Sequence, residues 1–310
     1  MDKLTKPWTL LPALILGLAL APGPLAAEEA AHGPAKPYSV RASLDWTSRS
    51  LDFRIDLSLG AFGIRLPQGR AEAESRIQAE LPAVLKDLIL GLPVDSRRDL
   101  AACVADSSLQ VGDLTALAGK AQVLASTFAR DLSTFGIDYR LPLAEIESLL
   151  VVHTSASLPQ MPIQGRASRP YTGIVIYASG DLPVRGERTQ ARLEPSLFPR
   201  IYDEAMTLLM DRNTVAPEAL AAWGELAWAT ELDRHALARV GDDPLRIDAR
   251  ALFGNRRTDI IISRDEALKI LVLRENLELL AQGRVLVVVE ATKAALTAPA
   301  YPSPAPAKRE

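Results

Sequence analysis

The side chains able to do chemistry are few and poorly grouped. The chain holds three histidines and one cysteine in 310 residues. His153 has Thr154, Ser155 and Ser157 beside it, but sequence neighbours do not make a nucleophile, a base and an orienting acid, and a polar strand end accounts for them. His235 follows Asp233-Arg234 in a charged segment, and His32 lies in a small polar stretch. Cys103 sits in the apolar run Leu100–Val104, where a buried, inert thiol is expected rather than a nucleophile. A single cysteine also excludes an internal disulfide framework and a cysteine-rich zinc site.

The carboxylates offer one alternative. Asp242, Asp243, Asp259 and Asp265 could together hold calcium or magnesium, which take oxygen ligands, and so serve a periplasmic metal-dependent hydrolase. Against this, Asp242-Asp243-Pro244 is ordinary turn chemistry, and Asp265 with Glu266 complements a helix dipole at its first turn. There is no G-x-G-x-x-G and no G-x-S-x-G. Gly119-Lys120 lacks P-loop spacing, and Ala121 stands where a hydroxyl would meet magnesium. No catalytic residue and no cofactor are expected. A formal charge of −3 argues against nucleic acid as a partner, because phosphate-backbone binding needs clustered Lys and Arg.

The elements that must position these residues are easier to read. With 48% hydrophobic and 24% charged residues the chain can bury a core. Val40, Ala42, Leu44 and Trp46 alternate, then Leu51, Phe53, Ile55, Leu57 and Leu59, which predicts a β-hairpin turning at 47–50. Ile77, Leu81, Val84, Leu85 and Leu88 fall at helical spacing over 70–90, with Pro82 expected to kink or divide the helix. Further helices are expected at 98–105 and 113–132. A strand carrying Phe135, Ile137, Tyr139 and Leu141 should return to the hairpin, while 144–151 is of open type.

Breaker-rich stretches at 158–162 and 165–170 mark a boundary. The near-continuous apolarity of 172–178 then fits a central strand buried on both faces. Residues 185–192 read as a charged, solvated loop, 201–211 is open between helix and strand, and 245–249 alternates as a strand. At the end, 258–263 is a strand and Ser263 with Glu266 forms an S-x-x-E capping box. A helix runs from there through Ala281, Gly283 closes it in the left-handed conformation, and 284–290 is a second strand. Strand, helix and strand predict a βαβ unit with a parallel pair.

The fold class is therefore α+β in two domains. A hairpin-plus-helices domain occupies 38–158, and a mixed-sheet α/β domain ending in a strand-helix-strand unit occupies 159–297. Residues 28–37 read as a flexible leader, and Pro299, Pro302, Pro304 and Pro306 make 298–310 an extended, disordered tail. Residues 1–27 read as a secretory signal. Lys3 and Lys6 precede an uncharged run, Trp8–Ala21, whose 14 residues span only about 21 Å as a helix against a hydrocarbon core of about 30 Å. Pro22-Gly23-Pro24 ends that run, Leu25-Ala26-Ala27 follows, and no lipobox cysteine is present. The expected product is periplasmic or secreted, with no stable membrane span after cleavage.

The stretch Tyr171–Ala178 resembles the "YTGLVIDA"-type strand of a family of uncharacterised, exported bacterial envelope proteins, distantly similar to flagellar assembly protein T, a periplasmic ring component of the basal body. Leu193–Asp203 is similar to the proline-containing stretch that follows that strand, and Asp265–Val289 to the family's closing helix and strand. The resemblance implies that Gly173, Pro195 and Pro199 shape the chain rather than react. It also implies a non-catalytic structural or assembly component that contacts an envelope or flagellar basal-body protein. A third expectation, from the rule for α/β sheets alone, is a small-ligand site at the carboxyl ends of parallel strands near Ala178 and Ser263.

Overall fold

The structure, a computed structural model, describes residues 38–65, 69–163 and 167–296. The expected signal, leader and proline-rich tail lie outside the described residues, as do 164–166 of the expected boundary.

The first domain is built from β1 (Tyr38–Asp45), β2 (Ser50–Ser58), α1 (Arg70–Ile89), α2 (Leu100–Ala105), α3 (Val111–Ala116), β3 (Gln122–Phe128), β4 (Thr134–Pro142) and α4 (Leu143–Ser148). The hairpin forms with Leu44 opposite Leu51, and β4 returns to it with Ile137 opposite Ile55 and Leu141 opposite Leu51. One face of these strands and the Ile77, Leu81, Val84, Leu85 and Leu88 stripe of α1 share one core. Two helical expectations change. Pro82 does not divide α1, which runs unbroken through it. The carbonyl that loses its donor, four residues earlier, belongs to exposed Gln78 and is open to water. The helix expected over 113–132 stops early, and Gln122–Phe128 is instead a strand paired antiparallel with β4. Its residues are mostly exposed, so no buried period marks them as a strand, and pairing with β4 decides their conformation.

The second domain contains β5 (Ile174–Tyr177), β6 (Leu182–Pro183), β7 (Gln190–Ala191), β8 (Ile201–Asp203), β9 (Leu208–Met210), α5 (Pro217–Trp223), β10 (Ala227–Ala229), α6 (Arg234–Val240), β11 (Leu245–Asp248), β12 (Ala251–Phe253), β13 (Asp259–Ile262), α7 (Arg264–Leu271), α8 (Arg274–Ala281) and β14 (Val285–Val288). A parallel sheet runs β10-β14-β5-β11, and a mixed sheet runs β12-β13-β8-β9. β5 is central as expected. Ile174 and Ile176 join the main core, while Val175 joins a second cluster with Ala236 and Val240 of α6, so both faces are covered.

The closing βαβ unit is not formed. β13 pairs in parallel with β8, and β14 pairs with β5 and β10 in the other sheet. The single expected helix is two, broken at Val272-Leu273. At the break the carbonyl of Lys269 accepts from Asn276 Nδ2 at 2.9 Å and from Ser168 Oγ at 2.7 Å. Buried Asn276 also donates to the Arg169 carbonyl and accepts from the Tyr171 amide, each at 3.0 Å, tying the interdomain segment into the gap.

The last strand crosses back. β15 (Lys293–Leu296) leaves the second domain and pairs antiparallel with β1, giving the first sheet the order β15-β1-β2-β4-β3. Among the described residues no helix is long and apolar enough to cross a membrane.

Candidate functional site

The residues singled out from sequence fall into separate places. Asp243 is exposed and ion-paired with Arg169, and Asp242 is exposed beside it in the turn before β11. Asp259 is buried at the start of β13, where its Oδ1 accepts from the Arg200 amide at 3.1 Å. Burial pushes its carboxyl up from the ordinary carboxylate value, against the hydrogen bonds it accepts. Asp265 is exposed in the first turn of α7. Among the described residues no group of three or more histidine, cysteine, aspartate or glutamate side chains is placed to hold a metal ion. The aspartates needed for a shared cation are not brought together.

The shaping residues act locally. A Cβ on Gly173 would meet the Val240 backbone at 2.5 Å, so glycine lets α6 approach the start of β5. Between and beside Pro195 and Pro199, the Leu197 and Phe198 amides donate to the carbonyls of Pro93 and Val94, stitching the second domain to the first. Ser263 caps α7 by accepting from the Glu266 amide at 3.2 Å, but the Glu266 carboxylate turns to Lys269, so only half of the capping box forms. Gly283 takes φ +62° past the end of α8, as expected. Cys103 is buried, and burial raises its thiol above the ordinary value, leaving it protonated and inert. His153 Nε2 lies 2.8 Å from the Val215 carbonyl, a structural contact. Near Ala178, where a ligand was expected at the strand ends, a recess of about 190 Å³ is crossed by the ion pair between Arg192 and Glu290.

The densest chemistry lies where the turn of the first hairpin meets the second domain. Arg49, in that turn with φ +50°, is ion-paired with buried Glu147 of α4. A Cβ on Gly224 would come within 2.8 Å of the Arg49 guanidinium, so the glycine after α5 admits it. On the other side Arg239 of α6 donates to the carbonyls of Gly283, Trp223 and Gly224. A buried cation is thus spent on the C-terminal ends of two helices, where its charge is favoured. Burial, helped by the nearby Arg49 charge, lowers the Arg239 pKa to about 9. Next to it Glu225 is fully buried, and neither carboxyl oxygen has a hydrogen-bond partner. Burial first, then the charges of Asp211, Glu147 and Asp259, push the Glu225 carboxyl well above its ordinary value. Glu147 is also raised by burial, opposed by Arg49.

Beside this cluster opens a cavity of about 300 Å³ between the hairpin turn, β10 and α6, walled by Trp223 and Trp228 and reached by Arg49, Arg239, Glu231 and His235. Sequence reasoning passed over Arg49, Trp223, Glu225, Trp228 and Arg239. The two tryptophans five residues apart were the only local signal, because the cluster draws on segments more than 170 residues apart in number, from 49 to 225 and 239.

A second feature lies on the first sheet. β3 is its outer strand, and a bulge between Val123 and Ala125 leaves Val123 and Leu124 exposed side by side, at 58% and 51%. On the sheet beside them Arg54 of β2 reaches Asp138 and Arg140 of β4 reaches Asp52 as cross-strand ion pairs, and Arg54 also pairs with Asp56 along its own strand.

Residues 37–149 match the family model described as the N-terminal domain of Treponema pallidum Tp0624, and residues 173–291 match the model described as the second domain of the same protein. No curated protein matches the chain.

Proposed function

From a chain that carries these two Tp0624-type domains in the same order, we propose an exported, non-catalytic component of the bacterial envelope that works by contact with another envelope protein. The observation that carries this reading is the open edge of β3. An unpaired strand edge presents amides and carbonyls to a further strand, and native proteins usually blunt it with charge. Here, at the bulge, two adjacent apolar side chains, Val123 and Leu124, stand exposed on it. An extended segment of a partner adding to this edge would gain main-chain hydrogen bonds along β3 and cover both side chains. The sequence signal for export and the similarity of Tyr171–Ala178 and Leu193–Asp203 to an envelope family support the location. They also make the flagellar basal body the first assembly to try.

The test is fractionation of cells expressing the tagged chain, with mild crosslinking and purification of basal bodies. Enrichment with basal bodies or with one envelope protein, lost in the double variant Val123→Lys, Leu124→Lys, is the expected result. A freely soluble chain without a crosslinked partner, or a double variant that co-purifies as well as the parent, overturns the proposal.

A further inference from the structure

The cavity beside Arg239 has a charge pattern that the fold does not use up. Both tryptophan N–H groups are already satisfied, Trp223 by the Gln282 carbonyl at 3.0 Å and Trp228 by the Ser196 carbonyl at 3.3 Å. The two indoles therefore have no donor left to offer a ligand, only the ring surface that lines the cavity, and Arg239 already lies over part of Trp223. At the inner end stand two guanidinium groups, Arg49 and Arg239. Glu147 answers the first. The second donates to three backbone carbonyls, so three of its five N–H groups are engaged, and it lies over the Trp223 ring, 5.1 Å from the centroid. The other buried carboxyl nearby, Glu225, pairs with neither guanidinium, since both of its oxygens lack a hydrogen-bond partner. One guanidinium at the inner end, that of Arg239, is thus left without a carboxylate ion-paired to it among the described residues, a costly arrangement in a desolvated place. The outer rim has the opposite character. Glu231 is exposed and makes no ion pair or hydrogen bond with a described residue, whereas Asp233 beside it is occupied in capping α6 through the Ala236 amide.

We propose that this cavity binds a small amino-acid-like zwitterion, with its carboxylate toward Arg49 and Arg239, its apolar side chain on Trp223 and Trp228, and its ammonium group toward Glu231. A cavity of about 300 Å³ stands at the small end of the roughly 300–1,000 Å³ usual for ligand sites, which suits one residue-sized molecule. A dianion such as a phosphate monoester would face Glu231 and Asp233 at the entrance and is disfavoured. This site is independent of the strand edge proposed for a protein partner, since it lies at the junction of the two domains.

The test uses titration calorimetry and intrinsic fluorescence on the purified chain, in which two of the four tryptophans line the cavity. The probes are L-phenylalanine, L-leucine, phenylacetate and phenethylamine. Saturable binding of an amino acid is expected, with each phenylalanine analogue at least tenfold weaker because it lacks one charged end. Ala238→Phe, on the exposed side of α6 at the cavity wall, should abolish binding and leave the unfolding transition in place. Glu231→Gln should weaken phenylalanine and leave phenylacetate unchanged. No saturable binding of either amino acid, an analogue that binds as tightly as phenylalanine, or full binding by a folded Ala238→Phe variant each overturns the proposal.

Discussion

Replacing Glu225 with glutamine should make the protein more resistant to alkaline pH, and the size of the effect follows from where Glu225 sits. In the unfolded chain this carboxyl ionises near its ordinary value of 4.5, while in the fold it is held protonated well above that. Between those two values the folded state carries one proton more than the unfolded state. Stability therefore falls as pH rises, by about 1.4 kcal/mol for each pH unit. The contribution is fully present below pH 4.5 and is lost progressively until the folded carboxyl itself ionises. Glutamine has nearly the same shape and no proton to lose. Asp259 and Glu147, also raised by burial, titrate in both proteins and cancel in the difference. The stability of Glu225→Gln relative to the parent should then climb as pH rises past the ordinary carboxylate value, with a slope of up to about 1.4 kcal/mol per pH unit, whatever its offset at low pH. Urea unfolding followed by circular dichroism at pH 4, 5 and 6 measures it. Parallel stability curves for the two proteins would mean that Glu225 is ionised in the fold or titrates normally, and the account of the buried junction would be wrong.

Two further outcomes test the fold that builds this junction. Asn276→Ala removes the side chain that bonds Tyr171, Arg169 and Lys269, taking the partner from the Tyr171 amide and the Arg169 carbonyl and leaving the Lys269 carbonyl only Ser168. A loss of about 2–4 kcal/mol is expected, read as a lower urea midpoint, with an effect under about 0.5 kcal/mol contradicting the latch. Gly173→Ala should cost about 1–3 kcal/mol by steric overlap with the Val240 backbone. Its unfolding temperature should drop, and an unchanged value would show that α6 does not need the close approach.

The local patterns were legible wherever one face of an element is buried against the core. Leu51, Phe53, Ile55 and Leu57 alternate because β2 is covered on one side, and the α1 stripe repeats every three or four residues for the same reason. β5 reads as continuous apolarity because helices and loops cover both its faces. β3 left no such trace, since an exposed edge strand takes its conformation from the β4 backbone rather than from its own side chains.

By itself, then, the sequence determined the α+β class, the hairpin and its returning strand, the central β5, the cap at Ser263 and the turn at Gly283, all set by interactions within a few residues or by burial period. Only the tertiary structure decided which sheet each short apolar strand joins, because β13 and β14 carry equally apolar runs and differ only in the neighbours that the broken helix lets them reach. It also decided the junction of Arg49, Glu147, Glu225 and Arg239. Those charges come from distant segments, and their meaning depends on burial and on one another, which no local pattern encodes.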